Sequence, residues 1–297
     1  MDSIRTLLFV PGHKDRLLHK APESGADAML YDLEDSVPAS ERPHARHKVR
    51  EQLALAFAPA LPCYVRINGL SDAGPKETEA DLAAITVAGL AGVMLPKPQA
   101  ADDIRFVAGH LDRLERAAGL PAGSVEIIAF IESARGVHFT YDIATASPRV
   151  TAVGIGSAED GDLMTDLRCQ WTPSGTELHY ARSAVLLEAR AAGIEFLIDG
   201  VFLGLDDEAG LVRDAEFART LGYRAKTVIH PRQVAPVNRV FTPGESEIAT
   251  YRAMIEAFEA AEQAGTGAID FRGKMIDRAM VRKARGVLAR FADIANG

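Results

Sequence analysis

Eight times along the chain a short apolar run rich in β-formers gives way to a longer stretch with helical spacing, and this alternation limits the fold more than any other feature. The strand-like runs are Thr6–Val10, Ala28–Leu33, Tyr64–Ile67, Val93–Leu95, Ile127–Ile131, Ala152–Ile155, Glu195–Ile198 and Thr227–Ile229. The helical stretches between and after them are Lys14–Glu23, Glu41–Phe57, Thr78–Ala88, Asp102–Ala118, Val137–Ala144, Gly175–Ala192, Ala209–Leu221 and Pro231–Val240. Gly or Pro stands where many of these stretches must turn back, as at Gly25, Pro59, Gly119 and Gly222. Repeated βα units without a Gly/Ser-rich linker predict an α/β fold, a closed parallel (β/α)8 TIM barrel over residues 1–240, rather than an open doubly wound sheet. A dinucleotide-binding origin is disfavoured, because no G-x-G-x-x-G follows the first strand.

After Val240 the pattern changes. Pro243-Gly244 break the chain, and a long amphipathic helix is expected over Glu245–Ala264. A turn-rich segment, G-T-G-A-I-D-F-R-G-K-M-I-D, precedes a last helix from Arg278 to Ala292. Residues 241–297 read as a C-terminal helical extension whose Gly-flanked loop can act as a lid, or as a packing arm in an oligomer.

Composition narrows the class. The chain has 297 residues, 47% hydrophobic and 25% charged, with a net charge of −8. It can bury a large core, and its charge argues against general nucleic-acid or membrane-surface binding. No apolar run approaches a membrane span, and the N-terminus lacks a signal-peptide layout. Cys63 and Cys169 form neither a disulfide framework nor a metal knuckle, so a reduced, cytoplasmic protein is expected.

In a parallel barrel the chemistry gathers at the C-terminal ends of the strands. There the sequence places Asp32, Glu34 and Asp35, then Arg66, Lys97, Glu132 and finally Glu159-Asp160. Carboxylates converging without Cys or paired His suit a hard divalent cation with oxygen ligands, Mg²⁺ or Mn²⁺ in its place, and not zinc. Glu132 and Asp160, on successive strand ends, are the candidate metal pair. Arg66 lies in an otherwise apolar strand and must meet a carboxylate, either an internal acid such as Glu34 or that of a substrate. Lys97 suits a phosphate or carboxylate contact or a solvated position. The basic run from Arg42 to Lys48 reads as a solvated helix face.

Taken in order, R-T-L-L-F-V-P-G, G-A-D-A-M-L-Y-D-L-E-D-S-V, V-R-I-N, L-P-K, I-E-S, A-E-D, G-T-E-L-H-Y-A-R and G-K-M-I-D resemble the citrate lyase beta-subunit-like family, which includes malyl-CoA and citramalyl-CoA lyases. The likeness runs from Arg5 to the last helix. It implies a Mg²⁺-dependent carbon–carbon lyase that cleaves or forms a 3-hydroxyacyl-CoA, working as a homo-oligomer, a trimer or hexamer, with a CoA thioester and an oxo acid as partners. It also implies roles. Glu132 and Asp160 hold the metal, Arg66 grips the oxo-acid carboxylate, and Asp277 is the acid–base residue on the lid. Glu34, with Asp35 behind it, supports the metal waters and Arg66, while Arg5 and Lys97 line the pocket toward CoA. Alternatives are a malyl-CoA thioesterase, a CoA-independent pyruvate aldolase, and a citrate lyase beta subunit acting on a carrier protein. Two departures from the family pattern, Arg278-Ala279-Met280 after K-M-I-D and His13-Lys14 in the first loop, leave the acyl group and the carrier open.

Overall fold

In a computed structural model, residues 3–55 and 61–296 are described. Eight parallel strands close into a barrel: β1 (Thr6–Pro11), β2 (Ala28–Asp32), β3 (Cys63–Arg66), β4 (Leu90–Pro96), β5 (Glu126–Ile131), β6 (Val150–Ile155), β7 (Phe196–Asp199) and β8 (Ala225–Val228). Each strand pairs with the next in sequence. β8 returns to β1, with Thr6 opposite Lys226 and Leu8 opposite Val228. The predicted (β/α)8 barrel is the observed fold.

The period-two alternation of strands explains why this sequence closes as it does. One parity of each strand packs outward into a single apolar layer with the helices. Leu8 and Val10 of β1, Met29 and Tyr31 of β2, and Ile127, Ala129 and Ile131 of β5 join Val49, Leu82, Ile104 and Val185 there. The other parity, including Leu7, Leu30, Tyr64, Met94, Ile128, Phe196 and Ile198, is also buried and fills the inside of the barrel. The interior is crowded enough to demand absent side chains. A Cβ on Gly154 of β6 would lie 2.4 Å from the ring of Phe130, its register partner on β5.

Helices differ from expectation after β5 and after β6. The expected helix over Val137–Ala144 is two short helices, Ala134–His138 and Thr140–Thr145, divided at Phe139. A helix over Asp162–Leu167 follows β6 and was not anticipated. The helix expected to reach Phe57 is described as Arg42–Leu55; Ala56, Phe57 and Pro59 lie outside the described residues.

The chain separates into two compact units. One is Ile4–Phe241, the barrel, and the other is built from the residues after it, from Thr242 on. The second unit has a helix Glu245–Gln263, an antiparallel hairpin of β9 (Ala268–Phe271) and β10 (Lys274–Asp277), and a helix Arg278–Asn296. The segment read from sequence as a turn-rich loop is thus a hairpin. Phe258, Ile276 and Val281 form its small core.

Candidate active site

Inward parity carries the site. Along β2 the inward positions run Ala28, Leu30, Asp32; along β3, Tyr64 and Arg66; along β5, Ile128 and Phe130, continuing to Glu132. Each series passes from apolar to ionisable at the C-terminal end of its strand, so the charges meet inside the barrel mouth. A cavity of about 270 Å³ opens there. It is lined by Asp32, Ser36, Arg66 and Glu132 and by an apolar wall that includes Phe9, Phe130, Val201 and Ile229.

Arg66 is the hub. Its guanidinium holds Asp32 bidentately, with Nε to Oδ1 at 2.7 Å and Nη2 to Oδ2 at 2.8 Å. Nη1 donates to Asp35 at 3.0 Å and stands 2.8 Å from Glu34. Of the two partners left open by the sequence, the structure shows internal acids, with Asp32 rather than Glu34 as the principal one. Burial opposes the Asp32 anion, but Arg66, Ser36 and the Glu34 amide outweigh it and hold its pKa below the ordinary value. The same carboxylates raise the pKa of Arg66 well above its usual value, against burial. Phe9 lies under the guanidinium at 4.8 Å.

The remaining acids are less satisfied. Glu132 is 9% exposed, and among the described residues its Oε2 has no hydrogen-bond partner. Burial, with Glu34 and Asp162 adding repulsion, pushes its pKa up to about 8 although Arg66 and Lys97 pull it down. Glu34 lies 2.8 Å from Arg66 and 3.1 Å from Lys97, within ion-pair range but off hydrogen-bond geometry. Burial first and Asp35 next push it to about 7, against Arg66 and Lys97. Lys97 collects four carboxylates, from Glu34 at 3.1 Å, Asp35 at 3.6 Å, Asp72 at 2.9 Å and Asp162 at 3.1 Å. They raise its pKa against burial.

Local structure sets these positions. Gly156, just past β6, leaves room for the Glu132 carboxylate, since a Cβ there would lie 2.6 Å from Glu132 Cγ and 2.7 Å from Oε1. Ser133 caps the helix after Glu132, its hydroxyl accepting from the Gly136 amide at 3.0 Å. Asp166, on the unanticipated helix after β6, accepts from the Ala134 amide at 2.7 Å and ties that segment to β5. Lys97 and Asp160 both adopt left-handed backbone, with φ of 52° and 51°. Such strain in non-glycine residues persists where surrounding structure requires it, commonly at functional sites.

The structure therefore gathers Arg66, Glu34, Asp35, Lys97 and Glu132. Asp160 lies in the loop after β6 with its side chain exposed. Asp162, two residues on, is the acid of that loop paired with Lys97. Asp162 and Asp72 were not singled out from the sequence; the third acid of A-E-D-G-D was the available signal for the first. Arg5 is a correction. It precedes β1, so it lies at the opposite end of the barrel, where it grips Asp27 bidentately at 2.8 Å through Nε and Nη2. Asp277 ends β10 in the second unit, and its carboxylate accepts from the amides of Ala279 at 2.9 Å and Met280 at 3.2 Å.

The donor set fits a hard cation. Acids outnumber bases at the mouth, and the buried Glu132 has an oxygen with no proton donor to meet it. Among the described residues no group of three or more acid, His or Cys side chains is preassembled as a metal cage. Magnesium needs none, since it takes one or two carboxylates and keeps its waters.

Comparison with known proteins identifies the family. The family model described as HpcH/HpaI aldolase/citrate lyase matches residues 5–231. The citrate lyase subunit beta of Leuconostoc mesenteroides subsp. cremoris is 38% identical over 96% of this chain and 92% of its own. The (3S)-malyl-CoA thioesterase of Cereibacter sphaeroides (strain ATCC 17025) is 34% identical over 98% of this chain and 95% of its own. In structure, CitE from Mycobacterium tuberculosis, solved in complex with magnesium, acetoacetate and coenzyme A, superposes with a TM-score of 0.76 at 27% identity, covering 98% of this chain and all of that one. This chain belongs to the HpcH/HpaI aldolase/citrate lyase family.

Proposed function

We propose that this protein is a Mg²⁺-dependent carbon–carbon lyase that cleaves, or in reverse forms, a 3-hydroxyacyl-CoA, giving an acyl-CoA and an oxo acid. The observation that carries the reading is Glu132: a buried carboxylate with an unpartnered oxygen, at a mouth where acids outnumber bases. Such a group is costly as an anion until a cation meets it. Family membership and a neighbour solved with magnesium and coenzyme A support the same assignment.

Glu132 and Asp160 would hold the ion, with Glu34 and Asp35 ordering its waters. When bound, Mg²⁺ supplies Lewis-acid stabilisation of the oxygen that becomes the carbonyl of the oxo acid. Arg66 has five N–H donors, three of them placed on Asp32 and Asp35, which leaves two for a substrate carboxylate. Because Asp32 and Asp35 hold the guanidinium rigid, little ordering remains when substrate arrives. Glu34, with its pKa near 7, suits transient acceptance of the hydroxyl proton as the C2–C3 bond breaks. The departing carbon becomes a thioester enolate, and Asp277 protonates it; in the condensing direction the same carboxylate removes that proton. In this reading the protein is a homo-oligomer, and the hairpin carrying Asp277 serves as the lid.

The test is to mix the protein and Mg²⁺ with malyl-CoA, citramalyl-CoA or citryl-CoA and follow oxo acid, acetyl-CoA and free thiol separately. Matched release of oxo acid and acetyl-CoA is expected. Asp277→Ala should abolish turnover and leave Mg²⁺ and oxo-acid binding nearly intact; turnover at the unmodified rate would remove Asp277 from the mechanism. A second reading, hydrolysis of the thioester, rests on the 34% identity to the malyl-CoA thioesterase, and release of free thiol would identify it.

A further inference from the structure

Lys97 stands just past β4, and it is not among the residues that line the barrel-mouth cavity. Its ammonium is nonetheless fully engaged. Nζ lies 3.1 Å from Glu34 and 3.6 Å from Asp35 after β2, 2.9 Å from Asp72 after β3, and 3.1 Å from Asp162 after β6. An ammonium has three N–H donors, so four carboxylates more than exhaust it. None is left over for a phosphate or a substrate carboxylate. The side chain is only 10% exposed, which shields these pairs from solvent.

The backbone is arranged for the same contact. Lys97 takes the left-handed conformation, at φ 52°, and its amide donates to the Phe130 carbonyl at 3.0 Å. The main chain thus anchors Lys97 to β5, while the side chain engages the connections after β2, β3 and β6. Arg66 also holds Glu34 and Asp35, at 2.8 and 3.0 Å. Among the described residues no other cation pairs with Asp72 or Asp162. Without the ammonium, four carboxylates close to one another would repel and drive these connections apart.

Resting on the lyase reading above, we infer that Lys97 is a positioning residue: it ties the connections after β2, β3 and β6 together, and so fixes where Asp160 stands relative to Glu34 and Glu132. It acts through these acids and touches neither metal nor substrate.

Lys97→Met, which keeps much of the stem and removes the charge, tests this because two effects on Mg²⁺ have opposite signs. Taking a cation from an acidic mouth would, as a field effect alone, tighten Mg²⁺ binding. Loss of positioning weakens it. Isothermal titration of the full-length variant is expected to show Mg²⁺ bound at least about tenfold more weakly, as for other residues that orient ligands. Lys97→Arg, which keeps the charge, is expected to recover part of that loss. Hydrogen exchange followed by mass spectrometry on the metal-free protein is expected to quicken in Lys97→Met over residues 33–38, 67–74 and 156–161, and not in the strands or outer helices. A structural lesion without a positioning role would quicken exchange throughout the barrel. Mg²⁺ binding at least as tight as in the unmodified protein, an arginine variant no better than the methionine one, or exchange that is unchanged or raised everywhere overturns the inference and leaves the lyase reading standing. The lyase reading fails separately, if Glu132→Gln leaves Mg²⁺ affinity unchanged; the exchange measurement needs no metal and still reads the tie.

Discussion

Glu132 shows how a single residue couples folding to ligand binding. Its ordinary pKa of 4.5 is raised to about 8 by burial, with Glu34 and Asp162 adding to the effect. A carboxyl whose folded pKa lies above its unfolded value takes up a proton on folding. Its ionisation therefore costs nothing at pH below about 4.5 and costs most above about 8. Metal-free protein should lose stability as pH rises through that window, most clearly in its upper half, and Glu132→Gln should flatten the slope. Scanning calorimetry across the window checks both. Mg²⁺ competes with the proton, so its stabilising shift in Tm should grow from the acid to the alkaline end. A shift that is constant with pH would separate Glu132 from the metal. Gly156 belongs to the same argument. Gly156→Ala would drive a Cβ into the Glu132 carboxylate, and Mg²⁺ affinity should fall at least about tenfold, as for other residues that orient a ligand. Overpacking should cost about 1–3 kcal/mol in stability, which denaturant unfolding without metal would report.

Between β7, β8 and the outer helices lies a buried network of ions. Lys226 Nζ reaches Asp199 at 2.6 Å and Asp214 at 2.5 Å, and Arg182 reaches Asp199 at 3.1 Å and Asp214 at 2.8 Å. Ser157, just past β6, donates to Asp199 at 3.0 Å and so joins the strand-end loop to this layer. Asp199 and Lys226 are register partners on β7 and β8, so the network stitches two strands to the helices Thr176–Ala191 and Glu208–Leu221. Lys226→Met keeps the volume but leaves two acids to one arginine. It should destabilise the barrel by about 3 kcal/mol, measured by denaturant unfolding. The departures from expectation also arise at this scale. The helix Asp162–Leu167 spans six residues, too few for a 3.6-residue period to be read. The hairpin of β9 and β10 was masked by the glycines of its flanks and turn, which sequence reading assigns to loops.

For the molecule as a whole, the division after Phe241 has a consequence. The barrel unit contains a closed sheet and its own apolar layer, whereas among the described residues the second unit has only a small core cluster around Phe258, Ile276 and Val281. A chain ending at Phe241 should fold cooperatively and bind Mg²⁺ and an oxo acid, but show no lyase turnover, because Asp277 is gone. Circular dichroism, titration and the coupled product assay measure the three properties. Turnover equal to that of the full chain would place the proton chemistry within the barrel.

Strand number, strand direction and the acids at the strand ends were all legible in the sequence, because period-two and period-3.6 patterns are local properties of the chain. Glu132 could be assigned to the mouth on that basis alone. The same direction rule places Arg5, which precedes β1, at the far end beside Asp27, and the family likeness obscured that signal. Tertiary structure decided what depends on neighbours distant in sequence. It chose Asp32 over Glu34 as the main partner of Arg66, crowded four carboxylates around Lys97, and left Glu132 Oε2 without a proton donor. Desolvation and charge coupling depend on through-space distances that no linear pattern encodes. The sequence alone thus determined a parallel barrel with an acidic mouth, and the closing of the barrel decided which of those acids is buried without a hydrogen-bond partner among the described residues.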